Sequence, residues 1–212
     1  MKQILLMIAV VALVGCGKKP AEESVFDQGR PDITKPSKPP AKTEAQIEAE
    51  TKAFAETKAK AEEGDSKAQG LLAWEYTYGE KKDPALAFEW SKKAAAQSDS
   101  KGEFILGRSF SLGQGVKQDF KEAVKWYQKA ADQGIAEAQN NLGVMYGMGN
   151  GVEQNFVTAY AWASIAATNG NKTTPRFKSQ FLEPKMTPAQ IAEAGELVKE
   201  MVEKNPKLLN KK

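Results

Sequence analysis

Residues 106–134 read LGRSFSLGQGVKQDFKEAVKWYQKAADQG, and residues 142–170 read LGVMYGMGNGVEQNFVTAYAWASIAATNG. Both stretches contain a Leu-Gly pair, a Gly-x-Gly-Val turn, a Trp and a pair of alanines, and each feature recurs after 36 residues. Residues 72–98 carry a related pattern, in which Ala73 stands in place of the glycine of the Leu-Gly pair and the turn is two residues shorter and lacks the Gly-Val pair. A fixed period of roughly 30 to 40 residues is typical of solenoids built from helical pairs.

The pattern within one unit predicts two antiparallel helices joined by a glycine-rich turn. In the third unit we expect the first helix at about residues 138–148 and the second at about 156–169. Because no unit can bury its apolar face alone, neighbouring units must stack. The sequence therefore predicts an all-α fold, an α-solenoid of three helix-turn-helix repeats. The repeats are expected at residues 64–97, 98–133 and 134–170.

Amphipathic helices are expected to cover both ends of this array, because a solenoid exposes an apolar face at each end. Upstream, Thr43 and Gln46 have the spacing of a capping box, which predicts an N-terminal capping helix over residues 43–63. Downstream, Thr187 and Gln190 have the same spacing with Pro188 between them, within a C-terminal cap at residues 171–205. Residues 206–212 are predicted to form a basic tail.

Several motifs of the repeats together resemble one known family. The second unit contains Leu106-Gly107, Gly113-Gln114-Gly115-Val116, Asp119, Trp126 and Lys129-Ala130-Ala131. The third contains Ala138-Gln139, Leu142-Gly143, Tyr146, Gly149-Asn150-Gly151-Val152 and Trp162. This pattern resembles the Sel-one-like repeats of the tetratricopeptide superfamily. The resemblance implies a non-catalytic scaffold that binds protein or peptide segments of envelope complexes or biosynthetic machinery.

The amino terminus has the features of a bacterial lipoprotein signal. A basic residue precedes an apolar run from Ile4 to Val14, which is too short to span a bilayer as a helix. The tetrad Leu13-Val14-Gly15-Cys16 resembles a lipobox, which implies removal of residues 1–15 and acylation of Cys16. Since Gly17 is not the Asp that retains such proteins in the inner membrane, we expect an outer-membrane anchor that faces the periplasm.

Residues 16–42 are expected to form a flexible tether between this lipid and the helical array. The segment contains five prolines, many polar residues and almost no apolar ones, so it has too little apolar surface to fold. Fully extended, it would reach roughly 80 Å at about 3.1 Å per residue.

Composition argues against most enzymatic and nucleic-acid functions. The chain has no His, one Cys, 30 Lys and Arg, and 27 Asp and Glu, with a formal net charge of +3. Imidazole-based catalysis and His-containing zinc sites are therefore excluded, and a single Cys allows no intramolecular disulfide. Only Arg30, Arg108 and Arg176 are arginines, so the basic residues look like solvated lysines rather than a nucleic-acid surface. No cofactor or metal is expected.

Two other functions stay open at this stage. Ser98 and Lys101 match the Ser-x-x-Lys of penicillin-recognising enzymes, and some Cys-rich members of the family have been assigned cell-wall or β-lactam activities. Those relatives carry a disulfide in each repeat, whereas this chain has none, and a chance match in an inter-repeat turn is the simpler interpretation. Binding to peptidoglycan without turnover is the other alternative.

Function is expected at the positions of the first helices where the three repeats differ. By analogy with tetratricopeptide units, some of these positions line a concave face, although they could instead merely pack or vary neutrally. Trp, Phe and Arg are residue types that are enriched at interaction hot spots. The candidate partner-binding residues are Lys67, Trp74, Tyr78, Phe104, Arg108, Asn140 and Val144.

Overall fold

A computed structural model describes residues 42–210 of the chain. Every regular element in this range is helical, and the described residues from Thr43 onward form one compact unit. None of these helices is long and apolar enough to cross a membrane. The all-α prediction is confirmed. Cys16, the predicted signal peptide, the predicted tether apart from Lys42, and the last two lysines lie outside the described residues.

The helices follow one another as hairpins that stack in chain order. Their bounds are α1 Glu44–Glu62, α2 Ser66–Tyr78, α3 Pro84–Ala96, α4 Ser100–Leu112, α5 Phe120–Asp132, α6 Ala136–Met148, α7 Phe156–Thr168, α8 Thr174–Phe177 and α9 Pro188–Lys204. The pairs α2–α3, α4–α5 and α6–α7 form the three predicted repeats. The helix α6 begins at Ala136, two residues earlier than expected, at the position equivalent to the starts of α2 and α4, although its N-cap Ile135 makes no side-chain hydrogen bond.

Close packing within each hairpin depends on a small residue in the first helix. A Cβ atom on Gly107 would lie 2.8 Å from Cδ1 of Tyr127, and one on Gly143 would lie 3.0 Å from the carbonyl oxygen of Ala159. Ala73 is fully buried at the equivalent place in the first repeat. These positions have no room for a larger side chain, as the spacing of small residues predicts.

One backbone hydrogen bond of 2.9 Å closes the turn in all three repeats. The donor N–H and acceptor C=O belong to Asp83 and Tyr76, Asp119 and Phe110, and Asn155 and Tyr146. Each donor residue also caps the N-terminus of the second helix with its side chain. The shorter turn of the first repeat therefore omits the Gly-Val pair without changing the way in which the hairpin closes.

The helix α1 takes the place of a second helix before the first repeat. Its capping box at Thr43 and Gln46 is present, as predicted. The ring of Phe54 meets the ring of Tyr76 edge-on at 6.0 Å, and Phe88 meets Phe110 edge-on at 5.7 Å one repeat later. Equivalent aromatic contacts thus join α1 to the first repeat and the first repeat to the second.

At the other end, α9 covers the third repeat. It begins with the predicted capping box of Thr187 and Gln190, packs against α7 and buries Ala194 completely. Before α9, the predicted C-terminal cap also contains short helical turns at residues 174–185, whose form the sequence did not predict. A π-helical turn at Lys178–Leu182 follows α8, and Leu182 is buried against Ala159 and Ala163.

The prediction of a basic tail at residues 206–212 is wrong for its first residues, because these are part of the fold. Pro206–Leu208 forms a 3-10 turn, and Leu208 is only 2% exposed. The carbonyl oxygen of Leu208 accepts hydrogen bonds from Gln139 Nε2 at 2.8 Å and Asn169 Nδ2 at 2.7 Å. Apolar burial and these two hydrogen bonds hold the segment against the third repeat.

Candidate functional site

A groove of about 530 Å³ lies along the first helices of the repeats and ends at the loop after α7. We call it the central groove. It is lined by Tyr78, Phe104, Arg108, Glu137, Asn140, Asn141, Gly170, Asn171, Lys172 and Thr173. Each of α2, α4 and α6 contributes residues, so the groove exists only when the three repeats are stacked.

Four of the seven predicted partner-binding residues line this groove, namely Tyr78, Phe104, Arg108 and Asn140. Phe104 is buried and forms part of the floor. Trp74 lies beside it, with its ring centroid 4.5 Å from that of Tyr78 and 6.1 Å from that of Phe104. Lys67 is exposed and Val144 is half-buried, and neither lines the groove.

The guanidinium of Arg108 is held in place by two neighbours. Its Nη1 donates a hydrogen bond to Gln114 Oε1 at 2.7 Å, and its Cζ lies 5.0 Å from the centroid of the Tyr78 ring. Within residues 42–210, Arg108 forms no ion pair. The groove therefore contains an oriented cation whose remaining N–H donors are available.

Two charges of opposite sign, those of Arg108 and Glu137, act on the phenol of Tyr78. Burial raises the pKa of Tyr78 above its ordinary value of 10.0; the positive charge of Arg108 lowers that pKa and the negative charge of Glu137 raises it. At neutral pH the phenol is uncharged, so it presents a polar hydroxyl and an apolar ring.

A network of short polar side chains anchors the loop after α7 to α6. The oxygen Oδ1 of Asn171 accepts from the backbone N–H of Thr173 at 3.1 Å, from the Thr173 hydroxyl at 2.8 Å and from the N–H of Thr174 at 3.2 Å. The Thr174 hydroxyl lies 2.9 Å from that same oxygen and 2.8 Å from Asn140 Oδ1, so the hydroxyl joins the loop to α6.

Several lining residues were not among the predicted ones. Glu137 occupies the repeat position of Lys67, so the repeat pattern contains a signal for it, and Asn141 directly follows the predicted Asn140. The loop residues 170–173 carry no such signal, because they lie after the last repeat and have no equivalent to compare.

The Ser-x-x-Lys match lies in an inter-repeat turn, as predicted. Ser98 adopts a φ of 60° there, and the carboxylate of Asp99 accepts from the N–H of Gly102 at 2.9 Å to cap α4. Among the described residues, no group of His, Cys, Asp and Glu side chains is arranged to hold a metal ion.

The stacked hairpins and the groove across their first helices define a class: a tetratricopeptide-like α-solenoid. The chain belongs to the Sel1 repeat family, whose model matches residues 66–99, 100–135 and 136–171. These boundaries lie one or two residues beyond the predicted ones. Sel1 repeats generally mediate protein–protein interactions, and the family is typically a non-catalytic scaffold.

Several solved structures are similar to this chain. One is c5321, a protective antigen present in uropathogenic Escherichia coli strains that displays an SLR fold, with 35% identity and a TM-score of 0.67 over 79% of this chain. The match spans only 35% of that antigen. Another is a Sel1 repeat protein from Oxalobacter formigenes, with 36% identity and a TM-score of 0.50, covering 54% of this chain and 88% of that one. No curated protein matches the sequence.

Proposed function

We propose that the protein is a lipid-anchored periplasmic scaffold whose central groove binds a segment of another envelope protein. The observation that carries this proposal is the clustering of Trp74, Tyr78 and Arg108 on an accessible surface, although they belong to two different repeats. Aromatic residues and arginine are enriched at hot spots because each combines a large contact area with a hydrogen-bonding group.

The shape of the groove fits a peptide segment better than a small metabolite. It is open to solvent, and its lining combines aromatic rings, a guanidinium and side-chain amides from successive repeats. An extended chain can use such a surface by placing successive side chains on successive repeats.

The anchoring half of the proposal rests on the lipobox around Cys16. Acylation with several chains, palmitate among them, would hold the protein stably at the membrane, because each buried CH₂ contributes about 0.8 kcal/mol and one chain alone is marginal. The expected location is the periplasmic face of the outer membrane, and the tether at residues 16–42 would let the repeats reach partners away from the lipid.

The groove is tested by crosslinking in cells. A tagged full chain is crosslinked as wild type and as Trp74→Ala, Tyr78→Ala and Arg108→Ala, with Lys117→Ala in an exposed turn as the control. We expect the groove variants to lose partners that the control retains, while circular dichroism shows an unchanged helical content. The groove proposal fails if the folded variants capture every partner that the wild type captures.

The anchor is tested separately with Cys16→Ala. The variant should lose the incorporation of radiolabelled palmitate and should leave the membrane fraction. Unchanged labelling and fractionation would refute lipidation at this residue without affecting the groove.

The enzymatic and peptidoglycan-binding alternatives are tested with the full chain purified in detergent. We expect no hydrolysis of nitrocefin or peptidoglycan and no pelleting with isolated sacculi. Turnover that disappears in Ser98→Ala would replace the scaffold proposal with an enzymatic one.

A further inference from the structure

Two side chains on the lining of the central groove, those of Arg108 and Lys172, carry only hydrogen-bond donors. Arg108 has five N–H donors, of which one is used by Gln114. The side-chain oxygen of Asn140, another lining residue, accepts from the Thr174 hydroxyl at 2.8 Å, and its NH₂ group has no hydrogen-bond partner within residues 42–210. The exposed ammonium of Lys172 lies on the same lining. Glu137 is the only lining residue in the described part of the chain with a carboxylate. A ligand that matches this set must supply acceptors and negative charge.

A row of exposed apolar side chains runs next to these donors. Tyr78, Leu112 and Met148 are the last residues of α2, α4 and α6, and they are 42%, 51% and 50% exposed. Leu112 follows Arg108 by one helical turn, so the apolar row and the cation lie on the same side of α4. Three such residues at equivalent positions form a stripe that crosses the repeats.

We propose that the central groove binds an extended peptide segment in which an Asp or Glu side chain is flanked by apolar residues. This inference rests on the proposed scaffold function and names the chemistry of its partner. The carboxylate accepts hydrogen bonds from Arg108 and Asn140, with Lys172 adding positive charge. The flanking apolar side chains contact Trp74 and the row of Tyr78, Leu112 and Met148.

Charge complementarity supports an acidic segment rather than a neutral one. Arg108 and Lys172 outnumber Glu137 on the lining, and Arg108 has no carboxylate partner within residues 42–210. The carboxylate of Glu137 acts on the Tyr78 phenol electrostatically, so it lies close enough to the groove to repel a negatively charged ligand side chain. Removing that charge should therefore tighten binding, an effect that loss of folding cannot imitate.

The test uses synthetic peptides and the full chain in detergent. An acetylated and amidated decapeptide library with one Asp or Glu between Leu and Phe is compared with a library that has Asn or Gln there. A third library has the neutral residue and a free C-terminus. Binding is measured by fluorescence anisotropy for wild type, Arg108→Gln, Glu137→Gln and the charge-matched control Lys117→Gln, which lies in an exposed turn.

We expect the acidic library to bind about tenfold more tightly than the neutral one, and Arg108→Gln to remove most of that preference. Glu137→Gln should tighten acidic binding about twofold to threefold, while Lys117→Gln changes nothing. Equal affinity for acidic and neutral libraries overturns the inference, as does a preference for the free C-terminus. If Tyr78→Ala still loses crosslinked partners in that case, the scaffold function stands and only the carboxylate preference is wrong.

Discussion

Glu103 occupies a position that carries glutamine in the other two repeats. There, Gln69 Nε2 donates to the carbonyl of Ala61 and Gln139 Nε2 donates to that of Ala131, both at 3.1 Å. Glu103 is only 3% exposed, and its Oε2 accepts from Gln133 Nε2 at 2.7 Å. An ionised carboxylate has no donor for the carbonyl of Ala95, which is the equivalent acceptor in the second repeat.

The titration of Glu103 should therefore be coupled to folding. Burial raises the pKa of Glu103 above its ordinary value of 4.5; the hydrogen bond from Gln133 and the charge of Lys129 lower that pKa, and Asp99 and Asp132 raise it. Since the folded state holds the proton more tightly than the unfolded state, the stabilising contribution is complete below the unfolded pKa. It is lost as the pH rises through the folded pKa.

Glu103→Gln should increase the free energy of unfolding at pH 7 by about 1 kcal/mol, because the amide can donate to Ala95 and carries no charge to bury. Urea denaturation at pH 7 and at pH 4 measures this gain, which should shrink at the lower pH. Glu153→Gln in an exposed turn is the control and should change little. A gain that is equal at both pH values would contradict the role of ionisation.

Ser98 is another residue that differs from its equivalents. Gly64, Gly134 and Gly170 follow α1, α5 and α7 with φ of 102°, 85° and 87°, whereas Ser98 follows α3 with a φ of 60° and carries a side chain. Left-handed backbone is unfavourable for residues with a Cβ atom.

Ser98→Gly should therefore raise the free energy of unfolding by about 0.5 to 1 kcal/mol, measured by thermal denaturation. The reverse change, Gly134→Ser, should destabilise more strongly, because a Cβ there would lie 2.6 Å from Asn210 Oδ1. A neutral or destabilising Ser98→Gly would show that the serine makes a compensating contact.

At the scale of elements, the glycine-rich turn within one hairpin also packs against the preceding hairpin. Gly115 has a φ of 74°, and a Cβ atom there would overlap the carbonyl oxygen of Pro84 at the start of α3. Gly151 stands in the same relation to the carbonyl of Phe120 at the start of α5. These glycines are therefore required both by the turn and by the approach of the preceding hairpin.

Gly115→Ala is expected to lower the free energy of unfolding by more than about 2 kcal/mol, since it combines backbone strain with a steric overlap. Chemical denaturation followed by circular dichroism measures the loss. Gly195→Ala in α9 is the matched control: no atom lies within 4 Å of the added Cβ, and alanine favours helix by up to about 1 kcal/mol. Opposite signs for the two variants are the diagnostic result.

At the scale of the whole molecule, the C-terminal turn completes a contact that the other repeats make within the array. Gln97 and Gln133 reach back to the carbonyls of Gly64 and Ser98 at 3.1 and 3.2 Å. Asn169 has a side chain one methylene shorter, and its Nδ2 binds the carbonyl of Leu208 instead. Residues from the far end of the chain thereby replace an interaction between neighbouring turns.

Leu208→Ala should lower the free energy of unfolding by about 2 to 4 kcal/mol, because it leaves a cavity beneath a turn whose backbone also accepts hydrogen bonds from the buried Gln139 and the half-buried Asn169. Leu71→Ala, at a position that is 43% exposed, is the control and should cost far less. Both are compared by urea denaturation of the full chain. Equal, small effects would mean that the terminal turn is dispensable for the array.

The three repeats, their hairpins and both capping helices were predictable, because the pattern recurs often enough to identify equivalent positions. Four of the seven candidate residues, including Tyr78 and Arg108, were found in one groove for the same reason. The placement of Lys67 and Val144 outside the groove was not predictable, since neighbouring positions on a helix differ in direction by about 100° and only packing shows which face is free.

The periodic sequence by itself determined the class of fold, the phase of the helices, the small residues between them and the capped starts of α1 and α9, because these depend on contacts within one repeat or between adjacent ones. Only the tertiary structure decided how Asn171 and Thr174 close the groove and how Leu208 returns to the third repeat. Those contacts join segments that have no equivalents elsewhere in the chain. Their partners depend on where the stacked repeats end in space, which local sequence does not encode.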